Sequence, residues 1–408
     1  MSTLMNIGYF FFIVLLAYCF LSAVYLFVLA IMGRFFPSVK FKNLPPAIPS
    51  NRIAVLVPAY KEDRIIISTG KNLVRQQYPK DLFDVYIIAD SFLPETIAEL
   101  QKLPLTVIPV SFDKSTKTKS LNFAFSVITI QYDIAVICDA DNIMGPEFLH
   151  QINTCFVNGA VAVQARRVAK NLDTDFAILD ACSEGINNNI FRKGANAMGL
   201  SSSVIGSGMA FKYPMIKDIM NGISAVGGFD KIMQLKIVEN GTKIHYIENA
   251  LIFDEKVDSA HHFKQQRKRW VSSQFIYLRK FFKQGLAQLF RGNISYFNLS
   301  IANNIILPRG FMFLILPLLF TASLFVGTGH VVIAGGVFLM YLASLAFALP
   351  GELINRDLGK AVLKIPRAVF VMIGTLLHLR KANKQFIHTL HTKTEVSNVL
   401  FKESEKLE

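Results

Sequence analysis

Residues 134–142 read Ile-Ala-Val-Ile-Cys-Asp-Ala-Asp-Asn, a buried-strand pattern that ends in two carboxylates. The apolar run is continuous rather than alternating, which is typical of a strand covered on both faces of a parallel sheet. The pattern recurs at residues 53–57 and 85–89, and more weakly at 105–110 and 161–163. Segments 65–77 and 120–128 are compatible with crossover helices. This β-α-β rhythm predicts an α/β fold with a mixed, mostly parallel sheet and helices on both faces.

Polar and acidic residues follow three of these strands. Residues 58–62 follow the first, Asp90 ends the second, and residues 139–142 follow the third. Ligands of open α/β sheets bind at the carboxyl ends of the strands. The sequence has no Gly-x-x-x-x-Gly-Lys loop, and residues 206–208 lack the third glycine of a dinucleotide fingerprint. The crevice is therefore predicted to hold a nucleotide through carboxylates and a metal.

Asp139 and Asp141 form an Asp-x-Asp pair. Two carboxylates in this arrangement can hold Mg²⁺ or Mn²⁺ while a diphosphate fills other coordination positions. The alternative is a turn or a helix cap, which uses the same residue types. The position of the pair, at a strand end and ahead of a Pro-Glu turn, favours metal binding.

Residues 266–270 read Gln-x-x-Arg-Trp and lie between the strand-rich region and an apolar C-terminal third. The planar guanidinium of Arg269 suits a diphosphate, since it donates hydrogen bonds in pairs. Trp270 is the only tryptophan of the chain and offers a flat surface to a sugar ring. The alternative is an amphipathic helix with a buried tryptophan and solvated bases.

Long apolar runs indicate a membrane protein. The chain is 52% hydrophobic with a mean hydropathy of +0.38, and residues 7–32 form an uncharged run long enough to span a bilayer. This run lacks the basic start of a signal peptide, so a retained anchor is expected. The basic residues Arg34, Lys40 and Lys42 predict an outside N-terminus and a cytoplasmic domain after it.

Further apolar runs at 311–326 and 331–349 predict a hairpin of two spans. The stretch 365–379 is shorter and begins with a proline and an arginine, and whether it spans or lies in the interface stays open. Between the motif at 266–270 and these runs, apolar residues recur at helical spacing with lysines and glutamines opposite. This pattern predicts an amphipathic interfacial segment.

The net charge of +14 has an ordinary origin in juxtamembrane lysines facing anionic lipids, and it also suits anionic nucleotide substrates. Nucleic acid is not expected as a partner, because no recognition motif is present. The four cysteines form no Cys-x-x-Cys pair and no zinc-ligand spacing. Their number and spacing fit a reducing compartment without structural disulfides.

Taken in order, the motifs resemble those of the membrane-bound family-2 glycosyltransferases, which include cellulose, hyaluronan, chitin-oligosaccharide and poly-N-acetylglucosamine synthases. The likeness covers about residues 52–274 and extends to the flanking apolar runs. The matching residues are the segment 57–62, Asp90, Lys119, Asn122, Asp139, Asp141, the segment 206–211, Asp230, the pair 254–255 and the motif 266–270.

The resemblance implies a GT-A type domain and a role for each matching residue. Asp230 would be the catalytic base, and Asp139 and Asp141 would bind Mg²⁺ or Mn²⁺. Asp90 would contact the uracil, and Lys119 and Arg269 would contact the diphosphate. The full set of implied donor-site residues is Pro58, Tyr60, Glu62, Asp90, Lys119, Asp139 and Arg269. The implied acceptor-site residues are Gly206, Ser207, Gly208, Gln266 and Trp270.

One position departs from the family. The family usually has an acid before the base, whereas here Phe229 precedes Asp230. The alternative role of Asp230 is that of a cap at the start of the helix-like stretch 231–239.

The predicted organisation is an anchor and linker at 1–45, a cytoplasmic GT-A domain at 46–270, an interfacial segment at 271–310, a transmembrane region at 311–380 and a basic, then polar, tail at 381–408.

The expected activity is inverting, metal-dependent transfer of sugars from a UDP-sugar, which builds a β-linked polysaccharide processively. Alternatives are transfer of a single sugar to a lipid-linked acceptor, or an inactive scaffold of an export system. The cell membrane, the growing glycan or lipid-linked acceptor, and an accessory membrane subunit are the other expected partners.

Overall fold

The computed structural model describes residues 2–37, 40–41, 44–225, 227–366, 369 and 391–405. Within these residues, eight strands form one sheet in the order β3-β2-β1-β4-β7-β6-β8-β5. The strands are β1 (Ile53–Tyr60), β2 (Phe83–Asp90), β3 (Thr106–Val110), β4 (Ile134–Ile137), β5 (Ile143–Met144), β6 (Ala162–Ala169), β7 (Met209–Lys212) and β8 (Ile244–Asp254).

The helices surround this sheet and form a separate apolar cluster beside it. In chain order they are α1 (Ser2–Phe35), α2 (Ile66–Leu73), α3 (Pro94–Leu100), α4 (Lys117–Val127), α5 (Phe148–Val157), α6 (Asp175–Asn187), α7 (Ala195–Ala197), α8 (Tyr213–Asn221), α9 (Phe229–Glu239), α10 (Ala260–Phe290), α11 (Ile294–Phe297), α12 (Asn303–Ile305), α13 (Arg309–Ser323), α14 (Thr328–Ala348), α15 (Arg356–Val362) and α16 (Val399–Glu405). Two π-helical turns, Asn188–Gly194 and Asn298–Ala302, continue α6 and α11.

The sheet is mixed and mostly parallel, as predicted. Strand β1 pairs in parallel with β2 and β4, β2 with β3, and β6 with β8. Strand β7 runs antiparallel to both β4 and β6, and β5 runs antiparallel to β8. The predicted strand at 161–163 extends to Ala169 with a register shift after Ala165, and strands β5, β7 and β8 were not predicted.

Both faces of the sheet are covered, which explains the continuous apolar runs. Along β1, Ala54 and Leu56 belong to the core under α4, α8 and α9. Ile53, Val55 and Val57 belong to the opposite core under α2, α3 and α5. Because successive side chains of a strand point to opposite faces, a strand buried on both sides must be apolar at every position.

Two described helices are long and apolar enough to cross a membrane: Met5–Phe35 and Thr328–Ala348. Helix α13 occupies the run predicted at 311–326, but it has only 15 residues and contains Pro317. It qualifies as a span only together with residues 294–305, from which it is bent by 61°. The stretch predicted at 365–379 and the tail to residue 390 lie outside the described residues, apart from 365, 366 and 369.

Helix α10 runs for 31 residues without interruption and carries the Gln-x-x-Arg-Trp motif in its N-terminal half. The side chain of Ser259 caps it by accepting the NH of His262 at 3.4 Å. The predicted boundary between residues 270 and 271 falls inside this helix. Its C-terminal half exposes Phe275, Ile276 and Phe282, which is the kind of surface an interfacial helix presents to lipid.

The apolar helix α1 packs directly on the segment that follows α6 through glycines. A Cβ atom on Gly194 would lie 2.1 Å from the carbonyl oxygen of Leu29, and one on Gly33 would lie 2.7 Å from the carbonyl oxygen of Asn189. Real Cβ atoms do not approach backbone oxygens this closely, so the contact between α1 and the turn Asn188–Gly194 requires glycine. This contact fixes the position of α1 relative to the turn Asn188–Gly194.

Gly194→Ala therefore tests this contact. Overpacking of a close contact typically costs about 1–3 kcal/mol, so we expect a lower Tm of the detergent-purified chain. Gly336→Ala is the matched control, because Gly336 lies in helix α14 with nothing within 4 Å of its Cβ position. Alanine is the better helix former there, so this control should keep or raise the Tm. Equal Tm values for the two variants would contradict the close packing.

Candidate functional site

A cavity of about 980 Å³ opens at the carboxyl ends of β1, β2 and β4 and continues to the apolar helices α1, α13 and α14. Its polar end is lined by carboxylates that include Glu62, Asp90, Asp139, Asp141 and Asp230. Its far end is lined by Leu26, Leu345, Leu349, Leu358 and Val362 from α1, α14, α15 and their flanks. One continuous space thus joins the strand ends to the apolar helices.

Lys117 connects two segments at the polar end of the cavity, the turn after β4 and the turn before β7. Its ammonium group forms an ion pair with Asp139 and donates a hydrogen bond to the carbonyl oxygen of Gly206 at 2.6 Å. The side chain of Asp139 is 38% exposed, so part of its carboxylate remains open to the cavity. The NH of Asp139 donates to the side chain of Asn142 at 2.9 Å, which fixes the turn after β4.

Asp141 is buried and held by the chain around it. Its carboxylate accepts the NH of Glu255 at 2.8 Å and the side-chain amide of Asn142 at 3.2 Å. Burial raises the pKa of Asp141, but the positive charges of His391 and Lys170 and the NH of Glu255 outweigh it and hold the pKa below its usual range. Asp141 is therefore ionised beside Asp139.

The two aspartates fit a divalent cation in an open site. An ionised carboxylate has several lone-pair sites, and those of Asp139 that Lys117 leaves unused face the cavity. Across the described ranges, no group of three or more His, Cys, Asp or Glu side chains forms a metal cage. Oxygen atoms of a ligand would have to complete the coordination, which hard cations such as Mg²⁺ accept from phosphates.

Asp230 faces the same part of the cavity. It lies in the first turn of α9, and a Cβ atom on Gly206 would lie 4.0 Å from its carboxyl group. Burial raises the pKa of Asp230, and the charges of Lys231 and Lys117 offset this only in part. A carboxylate with a raised pKa is a better proton acceptor than an ordinary aspartate.

Phe229 directly precedes Asp230, at the position where the resemblance predicted an acid. Its side chain is buried in the core below α9, and its ring lies 5.5 Å from the ammonium group of Lys117. Gly228 turns the chain into the helix with a φ of +67°, and Tyr277 leaves no room for a Cβ there, since one would lie 2.5 Å from its ring. Phe229 thus contacts Lys117 through its ring and adds no charge beside Asp230.

Lys119, which the resemblance places at the diphosphate, does not line the cavity. It is exposed, its ammonium group donates to the carbonyl oxygen of Lys114 at 2.8 Å, and it lies 5.7 Å from the ring of Phe112. Lys117 lines the cavity instead. Residues two apart on a helix point to different sides, and sequence alone did not show which lysine faces inward.

The predicted donor-site residues at the strand ends lie together, and two residues next to them in the chain have strained backbones. Pro58, Tyr60, Glu62 and Asp90 all line the cavity. Lys61 and Ser91 have φ values of 54° and 59°, which non-glycine residues rarely adopt. Asp90 is buried, and one of its carboxylate oxygens has no hydrogen-bond partner among the described residues. Such an oxygen can accept a hydrogen bond from a ligand.

The predicted acceptor-site residues divide into two groups. Gly206, Gln266 and Trp270 line the cavity, as does Arg269 beside them. Ser207 and Gly208 do not: the hydroxyl group of Ser207 is buried against Asn142, and a Cβ on Gly208 would lie 2.7 Å from Ile252. These two residues shape the turn that presents the carbonyl of Gly206.

Helix α10 presents its motif to the cavity from one side. Trp270 is 38% exposed, and the guanidinium of Arg267 stacks 4.7 Å from its ring. Arg267 is in turn held by Asp180 at 2.6 Å. Burial lowers the pKa of Arg269 without removing its charge, because arginine stays protonated in proteins.

A buried charge network supports the cavity wall, and sequence analysis did not find it. Glu184 accepts hydrogen bonds from Arg167 at 2.7 Å and from Arg192 at 3.0 Å. Burial raises the pKa of Glu184, but the two arginines outweigh it and hold the pKa well below its usual range. Burial raises the pKa of Asp254 to about 6, against the opposing charges of Lys256 and Arg167.

The C-terminal segment returns to the carboxylates of the cavity, which no sequence motif indicated. His391 lies 2.9 Å from Glu62, and the NH groups of Thr392 and Lys393 donate to Glu255, each at 2.9 Å. Burial lowers the pKa of His391, but Asp141, Glu62 and Glu255 outweigh it and raise the pKa to about 9. A protonated histidine thus balances this carboxylate cluster.

Comparison with solved structures identifies the fold as GT-A-like. A mannosyltransferase, PcManGT from Pyrobaculum calidifontis in complex with GDP-Man and Mn²⁺, aligns with a TM-score of 0.50 at 16% identity, over 91% of this chain and 100% of that chain. Weaker likenesses include S. aureus TarS (TM-score 0.38, 16% identity, 84% of this chain and 56% of that one). Glucosyl-3-phosphoglycerate synthase from Mycobacterium tuberculosis, in complex with Mn²⁺, UDP and glucosyl-3-phosphoglycerate, gives a TM-score of 0.33 at 13% identity, over 51% and 73% of the two chains.

No curated protein matches the sequence significantly. The profile of a family described as "Glycosyltransferase like family 2" matches residues 49–273, which is more than half of the chain and includes every strand of the sheet. The protein therefore belongs to the family-2-like glycosyltransferases and is a glycosyltransferase.

Proposed function

We propose that the protein is a membrane-bound, inverting glycosyltransferase that transfers a sugar from a UDP-sugar to an acceptor hydroxyl with the help of Mg²⁺ or Mn²⁺. The observation that carries this proposal is the junction at Lys117. This lysine joins Asp139 to the carbonyl of Gly206, and the carboxyl group of Asp230 lies next to Gly206. The donor carboxylates and the base therefore face one point of the cavity.

The polar end of the cavity suits a nucleoside diphosphate. The unpartnered oxygen of Asp90 can accept an NH from the base. Lys117 and Arg269 supply positive charge for the diphosphate. Asp139 and Asp141 would hold the divalent cation, which would neutralise the charge of the departing diphosphate.

Asp230 is the proposed general base. It accepts the proton of the acceptor hydroxyl while the acceptor oxygen bonds to the anomeric carbon, and the bond from that carbon to the diphosphate oxygen breaks. Attack from the face opposite the diphosphate inverts the anomeric configuration. This displacement needs no protein nucleophile, and the raised pKa of Asp230 suits the proton transfer.

The apolar far end of the cavity, beside α1, α14 and α15, is called the membrane end below. This end favours a lipid-linked acceptor over a growing polymer. Leucines and valine from α1, α14, α15 and their flanks line that end, and a hydrated glycan would leave its hydroxyl groups unpaired against such a wall. The second candidate, a processive β-linked polysaccharide synthase, is favoured by Gln266 and Trp270, which line the cavity between the two ends. Sizing the product made from labelled UDP-sugars and membrane lipids separates these candidates.

The proposed topology places the N-terminus outside and the catalytic domain in the cytoplasm, where UDP-sugars are supplied. It rests on the basic residues that follow α1. The accessory membrane subunit stays a prediction.

Metal removal should stop the reaction. Excess EDTA should abolish transfer by the purified chain, and Mg²⁺ or Mn²⁺ should restore it, because without the cation the carboxylates of Asp139 and Asp141 would repel the diphosphate. Release of UDP from the UDP-sugar is the measurement. Full activity in excess chelator would remove the metal from the mechanism.

Asp230→Asn should lower the transfer rate by about 10²- to 10⁴-fold, the usual contribution of a general base. UDP should still bind, since this side chain serves the acceptor. The wild-type rate should fall as pH drops through the raised pKa of Asp230, because only the deprotonated carboxylate accepts a proton. The variant's residual rate should lack this acidic limb. A variant rate within severalfold of wild type would place the base elsewhere.

A further inference from the structure

At the membrane end of the cavity, Arg309 has no acidic ion-pair partner among the residues that the structure describes. Arg309 is the first residue of α13, and its guanidinium donates to the carbonyl and hydroxyl oxygens of Ser183 at 3.3 and 2.9 Å and to Asn187 at 2.6 Å. All three acceptors are neutral. In the described part of the chain no carboxylate forms an ion pair with Arg309, whereas Arg192 and Arg267 have Glu184 and Asp180.

A second polar group at this end also lacks a partner. Tyr341 of α14 is fully buried, and within the described ranges its hydroxyl group has no hydrogen-bond partner. Tyr341 lines the same cavity as Arg309, and the positive charge of Arg309 is close enough to act on the Tyr341 hydroxyl group. Buried hydroxyl groups are nearly always hydrogen-bonded, and a half-buried guanidinium whose acceptors are all neutral attracts an anion. Both requirements point to one anionic, oxygen-rich ligand group.

We propose that Arg309 and Tyr341 form a subsite for the phosphate of a lipid-linked acceptor. This inference rests on the proposed transfer function and names the part of the acceptor that the membrane end recognises. A guanidinium binds phosphate through paired hydrogen bonds, and the tyrosine hydroxyl donates one more. The lipid chain then lies along Leu345, Leu349 and Val362, while the acceptor hydroxyl extends through the cavity towards Asp230.

The observations favour a lipid phosphate over a free anion. Inorganic phosphate would form hydrogen bonds with Arg309 and Tyr341, but it would provide no apolar group to pack against the leucines and valine of the membrane end. A single alkyl or prenyl chain buries that surface, and removing apolar area from water is favourable. The polar pair Arg309 and Tyr341 and the apolar lining beside it together indicate a lipid that carries a phosphate group.

The test measures lipid binding to the purified full chain by native mass spectrometry. The probes are a long-chain polyprenyl phosphate, the corresponding polyprenol and phosphatidylglycerol. Wild type should bind the polyprenyl phosphate at least about tenfold more tightly than the polyprenol, the effect of a charge-assisted hydrogen bond. Arg309→Gln should remove this preference, and Tyr341→Phe should weaken it about threefold or more, with little change in polyprenol binding.

The controls separate this inference from folding and from the proposed function. Arg356→Gln changes an exposed arginine outside the cavity and should keep the wild-type preference. Tyr341→Phe removes only a hydroxyl group, so it remains informative if Arg309→Gln does not fold. An unchanged preference in Tyr341→Phe, or equal competition by phosphatidylglycerol, would overturn the acceptor subsite. UDP release by the same wild-type sample tests the transfer function independently of lipid binding.

Discussion

The contact of Lys117 with Asp139 and with the carbonyl of Gly206 is the interaction on which the rest of the site depends. Three separate segments meet there: the first turn of α4, the end of β4 and the turn before β7. The side chain of Lys117 is 20% exposed, so its attraction to Asp139 is only partly screened by water. Without this cation, the carboxylates at the strand ends would repel one another.

A second constraint positions this site relative to the apolar helix α1. Gly33 and Gly194 allow α1 to touch the turn Asn188–Gly194, and that turn carries Arg192 of the buried network with Glu184 and Arg167. Breaking a buried ion pair leaves an uncompensated charge, so the network tolerates few displacements. The carboxyl ends of the strands and the apolar helices can therefore share one cavity in a fixed geometry.

The sequence predicted the parts of this protein that local patterns determine. Continuous apolar runs predicted β1, β2 and β4, and the carboxylates after them predicted the polar end of the cavity. Strand β8 alternates irregularly between buried and half-buried residues, so its period was not visible. Lys117 could not be distinguished from Lys119 without the start of α4. The contact of His391 with Glu62 joins residues 329 positions apart, and no local pattern indicates it.

The most direct test of the account compares Lys117→Met with Lys119→Met in the purified chain. The measurement is kcat/KM for UDP release from the UDP-sugar. Removing a charge-assisted contact at the site should lower this value about 10- to 100-fold for Lys117→Met, while Lys119→Met should stay within about twofold of wild type. The reverse order would contradict the account, because the diphosphate would then lie on the other side of α4.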